Sequence, residues 1–546
     1  MKKNNLSILA FIAILFLFIR LPGVSLPYHQ DEWKTARSVE IGAEAASSLY
    51  HPPLTQLSYR AAEKLVGGAH LRFLPLLFSF LSLFLLYLVV KRRAGEKAAL
   101  LSVFLYTISF YSVLASHMID TDGALLPFFF LLSLVCYDQW NDVAQRHRGY
   151  WLLGFVLALL AGFMVKLSFI IVLGAFLVDY ALSRYGRLTK KEITRLSFGL
   201  VLFSFVSVCI FFLTKFLYPA FKLDAMVTHA LLYAHLSGRN YIQIIVQTIK
   251  VLEYLSPLLI VPLLFIKKDT IRSSRIFIVY LVLGGIFYFI LFDFSRGALD
   301  KYLMYSIVPL SALVAMILSP HVANVRKSFT RPVIVGVLLS GVLYSLNFFH
   351  HTVLTLYPKQ EWFARALHGQ WNMLVPFTGG SGPLGFYVSF LFIASVFLFF
   401  IFLTVLARAR FLPFSAVMLV LLVSGTMYNL VFIEEYQWGM INGSAPIVLS
   451  EALAYIEEHP TVTSVITYND IGAYELSRSN KYANRFYAVP EYEAVHRERF
   501  SSFDGYFLIV DIPRIYTGSY YEDFFNTCAR VFETRSREIT ATIYGC

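Results

Sequence analysis

Charge is what this chain is short of. Only 15% of its 546 residues are Asp, Glu, Lys or Arg, where soluble domains carry about 25%. With 58% hydrophobic residues, a soluble globular domain is excluded and an integral membrane protein is implied. Cysteine is scarce too: four are present, with no C-x-x-C spacing, so no metal centre of that kind is encoded. Cys136 and Cys209 fall in apolar runs and read as ordinary buried thiols, while Cys528 and Cys546 lie in a polar C-terminal stretch. There is no internal repeat, no low-complexity tract and no inverted-repeat symmetry of the kind that marks secondary transporters. No cleavage site of small residues follows the basic start Met1-Lys2-Lys3 and the apolar run 6–19, so that start reads as an uncleaved signal anchor.

What the chain does have is long apolar runs. Crossing about 30 Å of hydrocarbon takes roughly 20 apolar residues. Such runs lie near 6–26, 71–90, 98–117, 123–138, 150–166, 167–183, 196–218, 248–266, 275–293, 302–319, 332–349, 384–406 and 411–432, about thirteen spans in a lipid bilayer. The net charge of +12 is gathered in short basic clusters between runs, which is the pattern of cytoplasmic loops rather than of a nucleic-acid surface. Lys2-Lys3, Lys91-Arg92-Arg93, Arg146 with Arg148, Lys190-Lys191, Lys267-Lys268, Arg326-Lys327 and Arg408 with Arg410 occupy alternate loops. The N-terminus is then cytoplasmic. Loops 27–70, 118–123, 219–247, 294–301 and 350–383 lie outside with the tail.

The sequence therefore divides into a polytopic all-α membrane domain, 1–433, and a small extracytoplasmic α/β domain, 434–546. In the tail, 447–459 reads as an amphipathic helix stopped by Pro460, and 463–468 and 506–512 as short strands. Residues 529–534 and 539–544 read as a hairpin. Folding it would bring Cys528 near Cys546, and an extracytoplasmic setting permits a disulfide; two unpaired thiols are the equal alternative.

The candidate chemistry sits at the outer boundaries of the runs. Asp31 and Glu32 stand side by side in the first outer loop, which closes on Tyr50-His51-Pro52-Pro53-Leu54. Ionisable groups beside a bilayer are costly and are kept mostly where they bind or react, although an Asp can also do no more than cap a helix. Paired prolines fix the backbone at a helix start and would hold the His51 imidazole near an anionic headgroup; an incidental histidine in a helix-start motif is the plainer alternative. The next outer loop, Met118-Ile119-Asp120-Thr121-Asp122-Gly123, adds two carboxylates suited to orienting sugar hydroxyls. Lys166 interrupts an apolar stretch, either facing an internal cavity or snorkelling to the interface. Arg296, Lys301 and Tyr302 cluster in a later outer loop. Ammonium and guanidinium groups suit a phosphate. No cofactor is required by these residues, although Asp31, His51, Asp120 and Asp122 could together hold a divalent cation.

Carboxylates and cations on one side of a membrane suit transfer of a group from a lipid phosphate. A carboxylate takes the acceptor's proton, and the cations stabilise charge developing on the departing phosphate. The Asp31-Glu32 pair, the Tyr50-His51-Pro52-Pro53-Leu54 segment and Asp120-Thr121-Asp122 resemble the pattern of GT-C-fold glycosyltransferases, in particular the protein O-mannosyltransferases and the lipid A aminoarabinose transferases. The resemblance implies a GT-C bundle that takes a sugar from a polyprenyl-phosphate donor on the extracytoplasmic side, with inversion. It implies Asp31, with Glu32 beside it, as the catalytic acidic position. His51, Lys166, Arg296, Lys301 and Tyr302 would contact the donor phosphate, and Asp120 and Asp122 the sugar or acceptor. A chain without a large outer-loop insertion suits a prokaryotic cytoplasmic membrane. The acceptor, whether protein, lipid A, another lipid or wall glycan, is left open. A transporter or flippase of lipid-linked saccharides is the alternative from another class, and a membrane scaffold whose outer domain binds a partner is a third.

Overall fold

The computed structural model describes residues 3–41, 51–142, 144–184, 189–217, 221–233, 239–293, 299–323, 330–355, 359–378 and 384–546. Contacts divide the chain into two units. The first is Met1–Leu21, Ala36–Leu255 and Leu259–Asn324, and the second is Pro22–Thr35, Ser256–Leu258 and Val325–Cys546.

Among the described residues, nine helices are long and apolar enough to cross a membrane. A tenth span is counted if Glu96–Ile108 and Phe110–His117, bent by 65° at their junction, form one. The runs expected near 123–138, 167–183 and 275–293 fall on shorter helices, Leu125–Asn141, Leu167–Ser183 and Arg275–Leu291. The architecture is thus the expected polytopic helical bundle.

In the first unit, the bent pair has a clear physical basis. At Ser109 the backbone turns extended (φ −62°, ψ 122°), which frees carbonyls at the end of the preceding helix. Inside an apolar bundle no water is at hand to satisfy them. Arg20, fully buried, does so: its guanidinium donates to the carbonyls of Thr107 at 3.0 Å and Tyr106 at 3.3 Å, and to Ser112 Oγ at 3.0 Å. The second half of the pair ends at His117, whose Nε2 lies 2.7 Å from the Arg20 carbonyl oxygen. The break therefore sets where the chain enters loop 118–124, which carries Asp120 and Asp122.

The first outer loop is not irregular throughout. Helices Asp31–Ile41 and Pro53–Val66 occupy its described parts. Tyr50 lies outside the described residues.

In the second unit, three spans (Thr330–Phe348, Phe390–Arg408 and Phe414–Gln437) accompany two sheets. The first joins β1 (Thr352–Val353), β2 (Met373–Phe377) and β3 (Phe386–Ser389) in that order. β3 corrects an expectation, because the run 384–406 begins as strand and becomes helix only at Phe390. Phe386–Ser389 pairs antiparallel with β2, and the Ser389 hydroxyl accepts the Phe392 N–H to start the helix; hydropathy is blind to that switch. The second sheet comprises β4 (Val465–Tyr468), β5 (Tyr482–Phe486), β6 (Tyr506–Val510), β7 (Ala529–Ser536) and β8 (Ile539–Gly545), ordered β5-β4-β6-β8-β7. β4 and β6 are parallel neighbours and nearly uninterrupted apolar runs, as strands covered on both faces must be. The helix Ala445–Glu458 buries Val448, Leu449, Ala452 and Ile456 in the same core as Leu374 and Tyr387 of the first sheet. The β7–β8 register sets Ala529 opposite Gly545, and Cys528 and Cys546 just beyond are disulfide-bonded, with Cα atoms 4.8 Å apart.

Candidate active site

Two lysines and two aspartates meet in the first unit. Lys301 Nζ lies 3.1 Å from Asp120 Oδ2, and Lys166 Nζ pairs with Asp122 Oδ2. Both ammonium groups also face the Tyr302 ring, at 4.5 Å for Lys166 and 5.2 Å for Lys301. Each partner is brought in by a helix end. Lys166 caps Arg148–Val165 in an extended conformation, and Lys301 and Tyr302 lie in the short helix Leu299–Tyr302. The Asp120 carboxylate is braced by the Thr121 N–H at 2.6 Å, and its carbonyl accepts the Tyr59 hydroxyl at 2.9 Å. Behind Lys301, Asp300 accepts Lys250 Nζ at 3.0 Å.

Burial opposes ionisation of both acids, and the outcome differs between them. At Asp120 the Lys301 and Lys166 ammoniums outweigh burial and hold the carboxyl below its usual range. At Asp122 burial, reinforced by the Asp120 charge, wins over Lys166 and raises it. Asp122 Oδ1 is buried with no hydrogen-bond partner among the described residues, and so are both amide atoms of Gln56. Native interiors rarely leave buried polar atoms unpaired, and each costs about 1–3 kcal/mol. These are the atoms a polyhydroxylated ligand would satisfy.

His51 stands just before Pro53–Val66, whose first turn is tied down by the Thr55 hydroxyl donating to the Val165 carbonyl at 2.7 Å. Desolvation first, then the Lys166 charge, lower the imidazole to about 3. At neutral pH it is therefore a neutral ring offering one N–H, and the positive charge comes from the lysines. Above the unfolded value of about 6.5 the ring is neutral in both states. As pH falls from there towards about 3, the unfolded chain takes a proton that the folded chain refuses, and stability is lost. His51→Ala should flatten this acid-side loss in thermal unfolding between pH 6.5 and 4; an unchanged pH slope would refute the assignment.

Asp31 and Glu32 belong to the second unit. Both lie in the first turn of Asp31–Ile41. Glu32 is fully buried, and its Oε2 accepts the His29 N–H at 3.4 Å. Asp31 is the accessible member, 46% exposed, with Lys34 Nζ at 3.4 Å. Its surroundings come from the tail. Tyr28 meets Tyr474 edge-on at 4.8 Å, and Trp33 meets Tyr482 at 5.1 Å. The Tyr482 hydroxyl donates to buried Asp470 at 2.6 Å, and Asp470 also accepts Arg485 at 2.6 Å. Burial, then Asp470 and Asp31, push the Tyr487 phenol up to about 12 against the Arg485 charge.

Arg296 lies outside the described residues. Among those described, no three His, Cys, Asp or Glu side chains are grouped as metal ligands, and the Asp120 and Asp122 carboxylates each engage a lysine. Sequence reading missed Gln56, Tyr59, Asp300, Lys250 and Asp470. Of these, Gln56 and Tyr59 carried a signal: they share the buried face of Pro53–Val66 with Thr55, and polar residues on a helix's buried face ask for partners.

The full length superposes on ArnT from Cupriavidus metallidurans bound to undecaprenyl phosphate, with 14% identity, coverage of 100% of this chain and 98% of that chain, and a TM-score of 0.56. The apo state of the same protein gives 13% identity, 98% and 97% coverage, and a TM-score of 0.55. Residues 50–212 match the family described as dolichyl-phosphate-mannose-protein mannosyltransferase. No curated protein matches the chain.

Proposed function

We propose that the protein is an inverting glycosyltransferase that moves one sugar from a polyprenyl-phosphate donor to an acceptor at the outer face of a prokaryotic cytoplasmic membrane. The observation that carries this reading is the buried Lys166–Asp122 and Lys301–Asp120 arrangement around Tyr302. It occurs in a chain with the fold of an enzyme solved with undecaprenyl phosphate. Ammonium groups suit a phosphate, and His51 adds a neutral N–H. Asp122 Oδ1 and Gln56 would take sugar hydroxyls.

In the reaction, the Asp31 carboxylate receives the proton of the acceptor's hydroxyl or amine as that atom attacks the anomeric carbon. The bond from the anomeric carbon to the phosphate oxygen breaks with inversion, and Lys166 and Lys301 stabilise the charge left on polyprenyl phosphate. Neighbouring carboxylates support the oxocarbenium character of the transition state.

The test supplies purified protein with a mixed pool of polyprenyl-phosphate sugars and follows each donor by mass spectrometry. Selective loss of one donor with release of polyprenyl phosphate is expected. Intact donors in the presence of candidate acceptors, together with flux of lipid-linked saccharide across vesicles, would favour a transporter instead.

A further inference from the structure

A cavity of about 540 Å³ opens in the second unit, where the span Thr330–Phe348 ends and the chain turns towards the sheets. Its walls carry Asn347, His350, His351, Arg535, Arg537 and Glu538. From these we infer a binding site for a membrane amphiphile whose headgroup bears a phosphate and a hydroxyl.

Arg535 and Arg537 stand at the β7–β8 turn, where Arg537 adopts a φ of 52°. Arg535 Nε donates to the Arg537 carbonyl at 2.5 Å, and Arg537 Nη1 to the Ile441 carbonyl at 3.1 Å. Each guanidinium has five N–H donors, so each is oriented by the backbone and keeps donors to spare. Among the described residues neither has a carboxylate within ion-pair distance. The one acid in the wall, Glu538, is already matched by Arg514 at 3.6 Å. The cavity is therefore net positive, and paired guanidiniums suit a phosphate.

Two further observations define the rest of the ligand. Asn347 is 3% exposed, and its Nδ2 donates to the Tyr344 carbonyl at 3.0 Å. Its Oδ1 is buried with no partner among the described residues, an acceptor waiting for a hydroxyl. Phe348 and Phe349, also in the wall, are 60% and 58% exposed. Apolar rings this open at the end of a membrane span suit an acyl or prenyl chain beside a basic headgroup pocket. The frame is rigid: Ser389 Oγ holds His351 Nε2 at 2.6 Å, and the Glu538 N–H donates to the Asn442 carbonyl at 3.0 Å.

This inference stands independently of the glycosyl-transfer reading. The test uses full-length protein in detergent, titrated with dihexanoyl phosphatidylglycerol, its phosphatidylcholine counterpart and inorganic phosphate, with bound ligand counted by native mass spectrometry. Phosphatidylglycerol should bind, and R535Q/R537Q should weaken it at least tenfold while leaving the unfolding temperature unchanged. N347L should weaken it several-fold for phosphatidylglycerol alone. Equal binding by wild type and R535Q/R537Q, or equal binding of phosphatidylcholine, overturns the proposal. Inorganic phosphate binding as tightly as the lipid would show that a free phosphate is the ligand and overturn the amphiphile.

Discussion

Asp31→Asn should abolish sugar transfer while leaving donor binding in place. An amide of the same shape cannot take the acceptor's proton, and loss of a general base typically costs about 10²–10⁴-fold in rate. The fold should tolerate the change, because Asp31 is 46% exposed and its ion pair with Lys34 is a loose surface contact, a kind worth about 0–1 kcal/mol. Glu32→Gln is the informative control. Glu32 is fully buried on the His29 N–H, so its loss should lower stability more and the chemical step less. Measured side by side as single-turnover rates and donor dissociation constants, the two variants separate a base from a buried helix-start acceptor. A normal rate in Asp31→Asn would move the base elsewhere.

The second large effect belongs to the Lys166–Asp122 pair, which lies almost wholly out of solvent, with side chains 11% and 2% exposed. Removing one partner of a buried ion pair leaves an uncompensated charge and typically costs about 3–5 kcal/mol. Lys166→Met and Asp122→Asn should each lower the thermal midpoint, with Asp122→Asn the milder because burial already favours its neutral form. The double variant Lys166→Met/Asp122→Leu should recover much of the loss, since apolar replacement of a whole buried pair is often neutral. Activity should not recover with it. A double variant that regained both stability and transfer would make the pair a structural device and remove Lys166 from the donor site.

The sequence exposed the scale of this protein better than its couplings. Apolar runs of span length and four of the five tail strands could be read directly, because bilayer crossing and sheet burial both impose a local pattern; β5 (Tyr482–Phe486) could not, because its residues are mostly polar and partly exposed. β3 could not, because Phe386–Ser389 is as apolar as the helix it precedes, and only pairing with β2 makes it a strand. Asp120, Asp122, Lys166 and Lys301 were each visible as costly charges at a membrane edge. Which lysine meets which aspartate is decided by helix packing across distant parts of the chain, and nothing local encodes that. Arg20 shows the same limit: it lies inside the run 6–26 with no local sign of a partner, yet it is buried against the carbonyls of a helix break many residues away.

The partition of the chain has a consequence for inheritance. The segment Pro22–Thr35, with Asp31, is grouped with Val325–Cys546 rather than with the helices that flank it in sequence. Tyr28 and Trp33 seat it on Tyr474 and Tyr482. A graft of the C-terminal region from a relative that left residues 22–35 behind would separate the acidic residue from the aromatic seat it was selected with. Chimeras between proteins of this fold should therefore survive when both segments are exchanged together and fail when either is exchanged alone.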